Sequence, residues 1–163
     1  MRKFTSTSEL QTIEFAAEFG RGLRRGNVVA LFGDLGSGKT QFVKGVCRAF
    51  GVNELVASPT FVLLNRYGGR DSSGEELLIY HFDLYRIQSL DEIYDLGYEE
   101  FIRSNGICLI EWANVLGTLL PATRYEVHLA FGDNDEERVI SIKTLRGNET
   151  IGGGASRSAS MRA

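Results

Sequence analysis

Apolar side chains recur at helical spacing over residues 8–23, at Leu10, Ile13, Ala16, Ala17, Gly20 and Leu23, with Phe15 and Phe19 widening the stripe. Gln11, Glu14, Glu18 and Arg21 fall on the other side, and Ser6 or Ser8 offers an N-cap. Arg24-Arg25-Gly26 ends this helix. The next run, Val28 to Phe32, is apolar on both faces, the pattern of a central strand in a covered parallel sheet. After a glycine-rich turn, a second helix is predicted to about Phe50. Its apolar face is Phe42, Val43, Val46, Cys47 and Phe50, with Gly51 placed for a left-handed cap.

Strands are predicted at Phe61–Tyr67, Leu77–Asp83 and Ile107–Trp112, the first two joined as a hairpin through Gly68 to Glu75. Residues 89–104 read as two short helical pieces broken near Gly97. Tyr125 to Phe131 alternates at period two and Arg138 to Leu145 does so less cleanly, which predicts a second hairpin across Gly132 to Glu136. The expected fold is a three-layer α/β structure, a mixed sheet with flanking helices. The 163 residues suit a single domain over 1–146, and the Gly/Ser/Arg-rich stretch 147–163 reads as a disordered tail.

Composition narrows the function. Apolar residues are 43% and charged residues 24%, the balance of an ordinary globular chain. A net charge of -3 disfavours tight, direct nucleic-acid binding, although Arg21, Arg24 and Arg25 form a local basic cluster. Cys47 and Cys108 lie in apolar runs and read as reduced packing residues. The N-terminus lacks a secretory pattern and no apolar run is long enough to cross a bilayer, so a cytoplasmic location is expected.

The chemistry is announced by Gly33-Asp34-Leu35-Gly36-Ser37-Gly38-Lys39-Thr40, which fits G-x-x-x-x-G-K-[ST] between a buried strand and an amphipathic helix. Glycines let successive N–H groups turn inward toward phosphate oxygens, and the helix start adds partial positive charge. Lys39 is expected on the β- and γ-phosphates and Thr40 on Mg²⁺. Ile107-Cys108-Leu109-Ile110-Glu111 supplies a strand-end carboxylate, a Walker-B arrangement with Glu that can serve metal-bound water or polarise the attacking water. Asp83 ends another apolar run and is placed either to reach the metal or γ-phosphate, or to cap a turn. Thr60, in Ser58-Pro59-Thr60, is either a γ-phosphate sensor or a turn residue entering a strand. His81 reads as a packed core histidine rather than a ligand. Trp112 reads as a packing aromatic whose strand-end position also suits it to shape the nucleotide pocket.

These motifs together resemble one family, TsaE, the small P-loop ATPase of bacterial tRNA threonylcarbamoyladenosine biosynthesis. The resemblance rests on Gly33 to Thr40, Ser58-Pro59-Thr60-Phe61, His81-Phe82-Asp83-Leu84-Tyr85-Arg86, Asp95-Leu96-Gly97-Tyr98 and Ile107-Cys108-Leu109-Ile110-Glu111-Trp112. It implies a P-loop NTPase-like fold, slow ATP hydrolysis with Mg²⁺, and work alongside two partner proteins. Those partners transfer a threonylcarbamoyl group to an adenine next to the anticodon, and the ATPase resets their complex, touching tRNA only indirectly. It further implies Thr40 and Glu111 at Mg²⁺, Asp83 and Trp112 as residues needed for activity, Ser58 to Thr60 as a switch, and adenine near Thr7. After the Trp the family usually carries Pro or Ser and then charged residues. Here Ala113-Asn114-Val115 follows, so no nucleotide contact is carried over to that loop.

No arginine finger is evident, although Arg86 lies near Asp83, so turnover is expected to be slow until a partner completes the site. A small-molecule or nucleotide kinase would share the phosphate loop but would add an acceptor pocket and an Arg-bearing lid, for which the segment after the second helix is short. A GTPase is disfavoured by the missing Asn-Lys-x-Asp string. A nucleotide-gated interaction protein, in which hydrolysis is incidental, is the non-enzymatic alternative.

Overall fold

The computed structural model describes residues 1–59 and 62–147. Thr60, Phe61 and, of the tail 147–163 expected to be disordered, residues 148–163 lie outside these residues. The elements run β1 (Arg2–Ser6), α1 (Glu9–Gly20), β2 (Val28–Phe32), α2 (Lys39–Ala49), β3 (Leu64–Arg70) and β4 (Glu76–Asp83). They continue as α3 (Leu90–Asp95), α4 (Tyr98–Ile102), β5 (Ile107–Glu111), two 3-10 turns over Ala113–Leu119 kinked at Gly117, β6 (Arg124–Phe131) and β7 (Arg138–Leu145).

The seven strands form one sheet in the order β1-β7-β6-β2-β5-β4-β3. β2 runs parallel to β5 and β6, and β4 parallel to β5, while β3–β4, β6–β7 and β1–β7 are antiparallel. The expected mixed sheet is therefore present. β5 is buried along its whole length and β2 along all but its last residue, as continuous apolar runs in covered strands should be. Val29, Leu31, Ile79, Leu109 and Val127 pack toward Phe42, Val43 and Val46 of α2, with Phe15 and Ala16 of α1. On the other face Ala30, Phe82, Cys108 and Ile110 meet Ile93, Tyr98 and Leu116. Both cysteines are free thiols and buried, as packing residues should be.

Three sequence expectations are corrected. β1 was absent from the reading, because it is an edge strand in which Phe4 alone carries an apolar contact, stacking on Phe15 at 4.4 Å. β3 starts at Leu64 and runs through Gly68-Gly69 to Arg70, instead of ending at Tyr67. A Cβ on Gly69 would meet the Phe50 carbonyl oxygen at 2.8 Å, so Gly69 marks a close approach of α2's end to a strand, not a turn. The turn itself is held by Asp71, whose Oδ1 accepts from Ser73 N, Ser73 Oγ and Glu75 N. In α1 the buried stripe is Thr12, Phe15, Ala16, Ala17 and Gly20, while Leu10 is exposed. Ser8 is the N-cap, accepting from Gln11 N at 3.2 Å, and Ser6 instead lies buried against Thr12. The two helical pieces before β5 are as expected, Ser89 and Glu92 forming a capping box and Gly97 turning at φ 76°.

Candidate functional site

The site lies where β2, β4 and β5 end on the same edge of the sheet, the position at which open α/β sheets bind ligands. Between β2 and α2 the loop turns through three positive-φ glycines, Gly33, Gly36 and Gly38, the last of them the residue before α2. No side chain caps the start of α2, so its first-turn amides are available to an anion. Lys39 folds back on this loop. Its Nζ donates to the carbonyl oxygens of Gly33 at 2.6 Å and Asp34 at 3.0 Å, and lies 4.1 Å from the centre of the Trp112 ring. Burial pulls the Lys39 ammonium below the usual lysine range, against the opposing fields of Glu111, Asp83 and Asp34.

Glu111 closes the other wall. It pairs across the sheet with Leu31 of β2 and with Asp83 of β4. Its Oε1 accepts from Thr40 Oγ1 at 2.9 Å, and Thr40 Oγ1 is also 2.8 Å from Ser58 Oγ. Oε1 lies 2.8 Å from Nε2 of His81 as well. His81, read as a core histidine, is indeed fully buried, yet its one polar contact is the site carboxylate. Period two was the available signal: Leu77, Ile79, His81 and Asp83 share one face of β4, and that face leads to the phosphate loop. Asp83 Oδ1 accepts from Tyr85 N at 3.1 Å, a turn-capping bond. Burial, with Glu111 adding to it, raises its carboxyl above the usual range, while His81 and Lys39 pull the other way.

Trp112 sits outside the strand predicted to contain it. It has φ 57°, the only positive φ of a non-glycine residue among the described residues. That left-handed kink, costing on the order of 1–2 kcal/mol, turns the ring over Lys39 and within 4.9 Å of Tyr85.

A cleft of about 240 Å³ is lined by Leu35, Gly36, Gly38, Lys39, Thr40, Ser58, Asp83, Glu111 and Trp112, with Glu9, Gln41 and Tyr85. It adjoins a second, of about 320 Å³, bounded by Ser8, Glu9, Thr12, Asp135, Glu136 and Arg138. Thr7 lines neither, and its hydroxyl and amide both donate to Gln11 Oε1. Ser37 is buried inside the loop. A larger cleft, about 740 Å³, lies at the opposite ends of the strands, beside Arg25, Arg70 and Gly106, and holds none of the predicted site residues. The Arg21, Arg24 and Arg25 cluster is at that end too, with Arg25 paired to Asp71 at 2.7 Å.

The threonylcarbamoyl adenosine biosynthesis protein TsaE family matches residues 6–140 of this sequence. The chain belongs to the TsaE family. A TsaE of Rickettsia typhi is 42% identical over 140 residues, which is 85% of this chain and 92% of that protein. The TsaE of Bacillus subtilis is 38% identical over 114 residues, 70% of this chain and 68% of the relative. The crystal structure of Bacillus subtilis YdiB superposes with a TM-score of 0.69 at 31% identity, covering 90% of this chain and 86% of that one. TsaE membership places the chain in tRNA threonylcarbamoyladenosine biosynthesis.

The donors at the site fit a magnesium nucleotide better than a metal held by protein alone. Among the described residues no group of three or more His, Cys, Asp or Glu could hold an ion. Thr40, Glu111 and Asp83 offer hard oxygens to the cleft that Gly36 and Gly38 of the glycine loop also line. Such a set leaves most of the coordination of Mg²⁺ to phosphate and water.

Proposed function

We propose that the chain is a slow, Mg²⁺-dependent ATPase that binds the two-protein threonylcarbamoyl transferase complex and resets it between turnovers. The observation that carries this reading is the convergence of Lys39, Thr40, Asp83 and Glu111 on one cleft at the ends of adjacent strands. The reading takes residues 1–146 as one cytoplasmic ATPase domain with only indirect contact to tRNA. The net charge of -3 favours indirect over direct contact with tRNA. Among the described residues no helix is long and apolar enough to cross a membrane.

When bound, ATP and Mg²⁺ supply a phosphoryl group and the cation that neutralises its charge. The chain's own residues do the rest. Amides from Gly36 to Thr40 would hold phosphate oxygens, that of Ser37 on leaving the Asp34 carbonyl oxygen, and Lys39 would leave the Gly33 and Asp34 carbonyls to reach them. Thr40, whose hydroxyl donates to Glu111, and Glu111 itself would serve the cation. Glu111 and Asp83 order water for in-line attack, and Trp112 covers the lysine side of the cleft. Thr60, two residues after Ser58 in the sequence motif, is assigned to the γ-phosphate switch, and Thr7 to the neighbourhood of the adenine.

The charges explain the need for a cation. Three carboxylates, Glu9, Asp83 and Glu111, and one ammonium, Lys39, line the cleft, so a bare triphosphate would meet net repulsion. Among the described residues that line this cleft there is no arginine. Arg138, in the neighbouring one, is tied to the carbonyl oxygens of Gly36, Asp135 and Glu137. Slow turnover until a partner contributes follows from that. Phosphate release from ATP by the purified chain, with Mg²⁺ and with chelator, tests the reading. Lys39→Ala should abolish release, and label appearing on an added acceptor instead of as free phosphate would replace the ATPase with a kinase.

A further inference from the structure

We infer that His81 is a positioning residue of the nucleotide site: its imidazole fixes the Glu111 carboxylate for Mg²⁺-dependent binding without touching the ligand. This deepens the proposed ATPase reading and rests on it.

His81 is 0% exposed and Glu111 3% exposed, and their Nε2···Oε1 separation is 2.8 Å. A carboxylate only accepts hydrogen bonds, so the imidazole donates from Nε2. The other ring nitrogen, Nδ1, is buried and has no hydrogen-bond partner among the described residues. Burying a polar atom without a partner costs about 1–3 kcal/mol, and an apolar residue at this strand position would remove that cost. The neighbours on the same face of β4, Leu77 and Ile79, are such residues. A histidine placed here for packing alone would be the worse choice. Its single polar contact is the strand-end acid, and that contact determines what the acid can do.

Oε1 of Glu111 receives two donors, Thr40 Oγ1 and His81 Nε2, from opposite elements, α2 and β4. Two donors on one oxygen fix the carboxylate's rotation. They leave Oε2 without a hydrogen bond among the described residues, on a side chain that lines the cleft. Without His81 the acid would be held by Thr40 alone, the hydroxyl that the cation also needs. The second oxygen could then rotate away from the cleft. Outer residues that orient a metal-site acid typically matter 10- to 100-fold to metal affinity.

Calorimetric titration of the full-length chain with a non-hydrolysable ATP analogue, once with Mg²⁺ and once with chelator, tests this. Thermal unfolding without ligand accompanies each variant. In wild type the cation should strengthen binding, and no binding in either condition would defeat the nucleotide-site reading itself rather than the role of His81. His81→Leu should bind the analogue in chelator within about twofold of wild type but lose about 10- to 100-fold of the gain from Mg²⁺. His81→Gln, whose amide N–H reaches the level of Nε2, should recover the gain. His81→Asn, whose donor stops short at the level of Nδ1, should not. A full Mg²⁺ gain in His81→Leu overturns the proposal, as does an equal gain in the Gln and Asn variants. If His81→Leu does not fold, the Gln and Asn pair decides alone.

Discussion

The Lys39 ammonium is enclosed by its own loop and by Trp112: Nζ is 2.6 Å from the Gly33 carbonyl oxygen and 4.1 Å from the centre of the indole. A cation over an aromatic face gains about 0.5–2 kcal/mol, more as water is excluded. On the proposed reading, phosphate entry draws the ammonium from the Gly33 carbonyl oxygen and shifts it relative to the indole. The chain has one tryptophan, so its emission reports this step without added label. Adding the ATP analogue with Mg²⁺ should change Trp112 emission in a saturable way. Lys39→Ala should remove that response, and a Lys39→Ala protein that responds like wild type would show that the indole senses something else.

Glu111 is best tested by a change of charge at constant shape. Glu111→Gln keeps an Oε1 that accepts from Thr40 and His81, so the fold should hold and Tm should move little. The anion proposed to order water would be gone, and removal of such a group lowers kcat by about 10²- to 10⁴-fold. Single-turnover phosphate release would measure this. An unchanged rate would transfer the role to Asp83, its cross-strand neighbour.

Legibility of the site divided by the range over which each signal acts. The phosphate loop was readable because its glycines, Lys39 and Thr40 are contiguous and their flanking elements show strong periodicity. Glu111 and Asp83 were readable as ends of apolar runs, and parallel pairing then sets them side by side. Period two puts His81 on the same face of β4 as Asp83, but its bond to Glu111 was not readable, since that depends on the register of β4 against β5 and on the rotamer of a residue 30 positions away. The kink at Trp112 was missed for a similar reason. Nothing local marks a tryptophan for positive φ, and the aromatic run-on favoured extending the strand. β1 was missed because one stacked Phe4 makes no pattern, and the Gly68-Gly69 strand because glycine usually signals a turn.

The α1–α2 contact that supports the phosphate loop admits no side chain at Gly45. A Cβ there would meet the Ile13 carbonyl oxygen at 2.3 Å and Ala16 Cβ at 2.5 Å. Alanine is favoured over glycine inside a helix by about 1 kcal/mol, yet the clash is with backbone and cannot be relieved by a rotamer change. Overpacking of this kind costs about 1–3 kcal/mol. Gly45→Ala should therefore lower Tm, by about 2–4 °C for each net kcal/mol in a domain of this size. Calorimetric unfolding checks the sign, and a higher Tm would mean that the two helices separate without penalty.

Asp83 predicts a stability change with a definite pH dependence. Its carboxyl is raised, chiefly by burial and then by Glu111, so the folded chain holds this proton more tightly than the unfolded chain does. The destabilisation is absent while both states are protonated, grows as pH rises above the usual carboxylate value of about 3.9, and is complete above the raised value. Asp83→Asn retains an oxygen to accept from Tyr85 N and removes the charge. Without nucleotide it should therefore unfold at a higher temperature than wild type at pH 7, by about 1–3 °C after solvent screening of a partly buried group. The difference should narrow steadily toward pH 4, while hydrolysis at pH 7 falls because the water-ordering anion is lost. Equal Tm values at pH 7, or a gap that widens as the solution is acidified, would mean that burial does not disfavour the Asp83 charge.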